Sequence, residues 1–238
     1  MIIETAFFNT CLAAIDTSIS EKTNEEHLRG LMLQKFYEQF QLNYWDTKEI
    51  LPQCKYDLNE KKSCDLKIKL LKMTQMQYKP YGIFETNWIE IKYLKKWNRK
   101  NIINDLLRLC LLPKEFQGNN KGNGRYFMLV KNSYITKNKE DDFKRVFHPG
   151  YHENIKIEDK NKNYSLSLNA YTYEFIPIYK PQITNCFFSG YLVKILGFTF
   201  STFDKKLNVT TEAESRFSEQ DVKTQKELAK EIDSFCNK

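Results

Sequence analysis

A chain of 238 residues with 41% hydrophobic and 28% charged residues has the length and balance of a globular protein with a substantial buried core. Its 8 Gly and 6 Pro are too few for a collagen-like or low-complexity chain. The net charge of +7 is concentrated, with 21 basic and 10 acidic side chains in residues 51–150 against a balance of −4 in residues 1–50; a positive field of that kind suits a polyanion, nucleic acid before an anionic membrane.

Ile3, Phe7, Cys11, Leu12, Ile15 and Ile19 recur every three or four residues, which predicts an amphipathic helix over 3–19. A second helix opens on a capping box, Thr23 with Glu26, and carries Leu28, Met32, Phe36 and Phe40 as one apolar stripe. Glu25 projects within that stripe, and a favourable interaction with the helix dipole is the simplest account of an acid there. Residues 63–70 alternate, with Cys64, Leu66, Ile68 and Leu70 on one face and Asp65, Lys67 and Lys69 on the other, as in a half-buried strand. Residues 87–94 predict a second strand, Ile89, Ile91 and Tyr93 facing away from Trp88, Glu90 and Lys92, with a polar connection containing Pro80 and Gly82 between the two. Ile102, Ile103, Leu106, Leu107, Leu109 and Cys110 mark a helix that Pro113 ends. After a Gly/Asn-rich turn at 117–124, residues 125–130 read as a fully buried strand.

The order helix, strand, strand, helix, strand predicts an α/β (α+β) fold, a mixed central β-sheet flanked by helices. Past residue 132 the pattern weakens and an irregular C-terminal extension is expected. It holds a short helix over 138–147, strands over 164–179 and 187–203 confined to sheet edges by Pro177 and Pro181, and a polar helix over 217–236. No repeat or linker divides the chain, so a single domain over 1–238 is expected. The most apolar stretch, 183–203, contains Asn185 and Lys194 and does not read as a membrane span. The cysteines, Cys11, Cys54, Cys64, Cys110, Cys186 and Cys236, form no C-x-x-C pair, and the first residues lack the basic region of an export signal. Reduced thiols in a cytoplasmic protein are the expectation.

Glu90 and Lys92, one residue apart on a strand, leave the same face, and Asp65 lies off the apolar face of the preceding strand. If the strands are neighbours, two carboxylates and an ammonium meet at one sheet edge, the grouping that phosphodiester hydrolysis needs. Hard oxygen ligands hold Mg²⁺, which acidifies a bound water, and the lysine stabilises or orients the attacking hydroxide. Asp65 followed by Glu90-Ile91-Lys92 resembles the PD-(D/E)xK nuclease superfamily, which includes many type II restriction endonucleases. The resemblance covers about residues 23–131, and Cys64 stands where the motif places proline. It implies a restriction-endonuclease-like core, with Asp65, Glu90 and the Ile91 carbonyl as metal ligands and Lys92 as the catalytic lysine. It also matches Glu25 to the acid that many members carry on the first core helix.

The function expected is a Mg²⁺-dependent endonuclease acting on double-stranded DNA, of the restriction or defence type. Lys95, Lys96, Arg99 and Lys100 would contact phosphate, elements within about 132–210 would read sequence, and cutting both strands favours a homodimer. The alternatives are a non-catalytic nucleic-acid-binding protein and an RNA or single-strand nuclease using the same site. Other patterns point elsewhere less well. Pro149 and Gly150 break the helix that a His148–His152 zinc site would need, the glycines at 118, 122 and 124 lack a P-loop ending, and no nucleophile elbow is present.

Overall fold

The computed structural model describes residues 2–18, 24–43, 47–74, 81–94, 98–113, 123–131, 147–158, 163–176, 189–210 and 219–236. Helix α1 (Ile2–Ser18) comes close to its predicted span, and α2 (Glu25–Asn43) follows it. The cap of α2 is Asn24, whose Oδ1 accepts the His27 N–H at 2.8 Å. It stands one residue after Thr23, which lies outside the described residues. The short amide accepts an orphan N–H one residue later than the Thr23–Glu26 capping box would have served.

Three short strands then precede the predicted pair: β1 (Thr47–Pro52), β2 (Lys55–Tyr56) and β3 (Asn59–Ser63). β4 (Leu66–Thr74) and β5 (Tyr81–Leu94) are antiparallel neighbours, with Leu66 opposite Ile89. Helix α3 (Arg99–Leu111) carries the chain to β6 (Asn123–Lys131), which pairs with β5 in parallel. The rest of the sheet comes from β7 (Gly150–Glu158), β8 (Tyr164–Phe175), β9 (Ser189–Thr202) and β10 (Lys206–Thr210), before α4 (Glu219–Cys236). The strand order is β1-β4-β5-β6-β9-β8-β7, with β10 beside β9, and β2 and β3 form a separate ribbon. This is the expected mixed sheet with flanking helices, and its C-terminal part is built from regular antiparallel strands.

Two apolar layers hold the sheet. Leu28, Met32 and Phe36 of α2 pack with Phe7 and Cys11 of α1 against Leu66, Ile68, Ile89, Ile91, Met128 and Val130. On the other face Leu106, Leu107 and Cys110 of α3 and Leu228 of α4 pack with Trp88, Phe127, Leu129 and Val193. Alternate residues of β5 and β6 therefore enter opposite layers, and both faces of the middle strands are dry. The end of α3 is closed by side chains, because Arg125 Nε donates to the Leu109 carbonyl and Gln225 Nε2 to those of Leu111 and Pro113.

Three expectations need correction. Residues 63–65 are not part of the strand that follows. β4 begins at Leu66, and Cys64 is buried in the α3–α4 layer while Leu66 and Ile68 enter the α1–α2 layer. β8 and β9 are interior strands of the sheet rather than edges, and Pro177 and Pro181 lie outside the described residues. The face of β5 that carries Trp88 and Glu90 is buried rather than solvated. The helix expected over 138–147 lies outside the described residues apart from Phe147. No helix among the described residues is long and apolar enough to cross a membrane, and most of the apolar stretch at 183–203 is β9. Cys11, Cys54, Cys64 and Cys110 are free thiols, three of them buried.

Candidate active site

The site begins where the β4–β5 ladder stops. The last pair is Leu66 with Ile89, so the Ile91 amide lies past the reach of β4. Asp65 supplies the missing acceptor: its Oδ2 takes the Ile91 N–H at 2.8 Å, and its Oδ1 takes the Arg29 Nε–H at 3.2 Å. The Asp65 backbone is fixed as well, because its carbonyl accepts the Gln53 N–H at 2.9 Å from the turn after β1. Gln53 holds φ at 49°, the left-handed conformation that lets the chain turn back there. Within a strand the N–H and C=O of one residue point to the same edge, so the Ile91 carbonyl leaves toward Asp65 too.

Glu90 lies one residue earlier on the opposite face, 8% exposed. The Tyr56 hydroxyl donates to its Oε1, and the Tyr56 ring stacks on Trp88 with centroids 5.3 Å apart. Burial pushes the Glu90 carboxyl well above the usual carboxylate range. The Asp65 charge, the Asp105 charge and a hydrogen bond shared with Asp65 push the same way, and Tyr56 offsets only part of this. Burial and the neighbouring carboxylates together disfavour the charged form of Glu90.

Lys92 follows on the Glu90 face. Its Nζ lies 2.8 Å from Asp105 Oδ2 and 3.4 Å from Glu25 Oε1, and Arg108 Nη1 meets the other Asp105 oxygen at 3.2 Å. Burial opposes the lysine's charge, but Asp105 and Glu25 outweigh it and hold the ammonium above its ordinary range. Arg29, Lys92 and Arg108 answer Asp65, Glu25 and Asp105. Among the described residues Glu90 has no cation within ion-pair distance, although the Lys92 ammonium is near enough for the two charges to interact. Beside the lysine a cleft of about 630 Å³ opens between the first turns of α2 and α3, lined by Asn24, Glu25, Arg29, Lys92, Asn98 and Asn101 among others.

Asp65, Glu90 and the Ile91 backbone therefore meet at one corner, with Lys92 next to them. Glu25 does not join the two carboxylates; it turns to Lys92, and among the described residues no three acidic, His or Cys side chains converge as a ready-made metal cluster. The donor set still suits a hard cation. The Asp65 charge raises the cost of ionising buried Glu90, a repulsion that a divalent ion would relieve. Of the residues expected to contact phosphate, Lys100 is exposed in the first turn of α3 and Arg99 opens that helix, its side chain outside the described set. Lys95 and Lys96 lie outside the described residues.

Sequence reasoning missed Arg29, Tyr56 and Asp105. Arg29 is one helical turn after Glu25, and Asp105 interrupts the apolar positions of α3 between Ile102 and Leu106. An acid inside an apolar stripe was the signal that singled out Glu25, and it applied equally to Asp105. Tyr56 sits in a polar run with no periodicity, and nothing in the sequence marks it. Compared with protein-family models, with curated proteins and with solved structures, the chain matches none.

Proposed function

We propose that the chain is a Mg²⁺-dependent endonuclease of the PD-(D/E)xK type that hydrolyses phosphodiester bonds of double-stranded DNA, with a restriction or defence role. The observation that carries this reading is the grouping of Asp65 and Glu90 at the end of the β4–β5 ladder, with Lys92, which lines a cleft, two residues on from Glu90 on the same face. The basic surplus of residues 51–150, which surround that corner in sequence, supports a polyanionic substrate.

Asp65, Glu90 and the Ile91 carbonyl would hold the ion, whose charge would favour the ionised form of Glu90. Bound there, Mg²⁺ supplies a water of lowered pKa and neutralises charge on the phosphate. Lys92 acts as a cation. Asp105 and Glu25 keep it protonated, so it serves as a hydrogen-bond donor to the attacking oxygen or to the phosphate rather than as a base. Cleavage of both strands would require two such sites, which favours a homodimer.

One observation favours the rival reading of a non-catalytic binding protein: the contacts of Asp65 and Lys92 are all satisfied internally, as in a structural ion-pair network. Incubation of the purified protein with plasmid and phage DNA, with and without Mg²⁺, separates the two. The nuclease reading expects cutting only with the metal, as discrete fragments for a sequence-specific enzyme and a smear for a nonspecific one. Intact DNA under both conditions, with binding that ignores Mg²⁺, contradicts it. Parallel incubation with RNA and single-stranded DNA tests the choice of substrate.

A further inference from the structure

Arg29 has a placement that the ion-pair network does not account for. It contacts Asp65 through Nε alone, and its terminal amino groups make no other hydrogen bond or ion pair among the described residues. Arg29 also lines the 630 Å³ cleft beside Lys92, although its side chain is only 15% exposed. A guanidinium held side-on to one carboxylate oxygen leaves its two-pronged edge available, and that edge is the geometry that grips phosphate.

Resting on the nuclease reading, we propose that Arg29 is a positioning residue that couples substrate to metal: in the free protein it occupies Asp65 Oδ1, and a DNA phosphate entering the cleft draws it off. A positive charge 3.2 Å from that oxygen competes with a divalent ion for the same lone pairs and repels it. A phosphodiester in the cleft can accept two hydrogen bonds from the free terminal edge, and a guanidinium that turns to face it carries Nε away from Asp65 Oδ1. Once the guanidinium turns to the phosphate, Oδ1 is open to the cation while Oδ2 stays on the Ile91 amide. The full metal site would then assemble where substrate is already bound.

The test is Ca²⁺ titration of the DNA-free chain, together with duplex binding in Ca²⁺ across a salt series, for wild type, Arg29→Met and Arg29→Lys. Arg29→Met should bind Ca²⁺ about tenfold more tightly than wild type, since a competing charge in contact with the ligand is gone. Its duplex binding should weaken, with a log–log salt slope shallower by about 0.9, one phosphate contact. Arg29→Lys keeps the charge and should stay within about threefold of wild type for Ca²⁺. A brace that only supports Asp65 would move neither quantity in these directions. Wild type can also be read directly: the Arg29 Nε–H resonance should shift when duplex is added without metal. Arg29→Met with wild-type Ca²⁺ affinity, or an Arg29 resonance that ignores DNA, overturns the proposal. If wild type takes up no Ca²⁺ and cuts nothing in Mg²⁺, it is the nuclease reading that falls, a result distinct from a metal-binding, DNA-cutting protein that is indifferent to Arg29.

Discussion

Glu4 and Glu90 are almost equally buried, at 7% and 8% exposure, yet the protein treats them in opposite ways. Glu4, in the first turn of α1, has Lys194 3.7 Å away and the Tyr173 hydroxyl within hydrogen-bond reach. Burial opposes its charge, but a hydrogen bond to the chain's amino terminus, a backbone hydrogen bond, the charge of that terminus and, least, Lys194 outweigh it, and its carboxyl lies below the ordinary range. Glu90 meets two other carboxylates and a phenol, and its carboxyl lies well above that range. Depth of burial is thus not what separates these two acids. The sign of the neighbouring charges sets the direction: carboxylates act on Glu90, and cations on Glu4.

The comparison is broken most directly by Glu90→Gln. A carboxyl with a raised folded-state pKa gives stability that is complete below its unfolded value and lost as pH climbs through the folded value. Metal-free wild type should therefore be most stable at mildly acidic pH and weaken toward pH 8. Glu90→Gln stays neutral and can donate to Asp65 as the protonated acid does. It should exceed wild type by about 1–2 kcal/mol at pH 8 and match it near pH 5. Mg²⁺ should raise the melting temperature of wild type at pH 8 and leave the variant where it was. A variant with the wild-type pH profile would remove Glu90 from the account.

Tyr56→Phe sharpens the same contrast with a smaller change. The Tyr56 hydroxyl is the one donor that favours ionised Glu90, and its ring packs fully buried on Trp88. Loss of the hydroxyl should cost about 1 kcal/mol and move the onset of Ca²⁺ binding to higher pH, read by titration at several pH values. An onset that moves to lower pH would show that Tyr56 opposes the ionised form instead.

The smallest effect is expected on the other side of the comparison. Glu4 has a lowered folded-state pKa, so its contribution is present at neutral pH and lost as pH falls through the folded value. Glu4→Gln should cost about 0.5 kcal/mol at pH 7, because Lys194 is partly exposed and solvent screens the pair. That difference should disappear near pH 3, and Mg²⁺ should change neither protein's response. Denaturant melts with and without Mg²⁺ check both points.

What could be read from the sequence divides along physical lines. Alternation in 66–70 and 87–94 carried the pairing of β4 with β5, and apolar spacing carried α1, α2 and α3, because each of these elements buries a continuous stripe. The burial of Glu90 was hidden by the same rule, since alternation assigns a second face to solvent while β5 has both faces covered. Trp88, two residues before it on that face, was the clue. β1, β2 and β3 are short, polar and peripheral, so no periodicity announced them, and Tyr56 was lost with them. For the site, Asp65, Glu90 and Lys92 could be named from their spacing. Arg29 and Asp105 reach them from helices whose packing no local pattern encodes.

The central claim, that this corner cuts phosphodiesters with a metal, is tested most directly by the rate of duplex cleavage in Mg²⁺ for wild type beside Lys92→Ala, with Ca²⁺ affinity measured on both. Lys92 touches Asp105 and Glu25 and is not itself a ligand, so its removal should leave Ca²⁺ binding in place. The account predicts wild-type cleavage that requires Mg²⁺ and falls about 100-fold or more in the variant, the loss of one donor to developing charge. A folded Lys92→Ala protein that binds Ca²⁺ and cuts at the wild-type rate, or a wild-type protein that cuts equally well without metal, would contradict it.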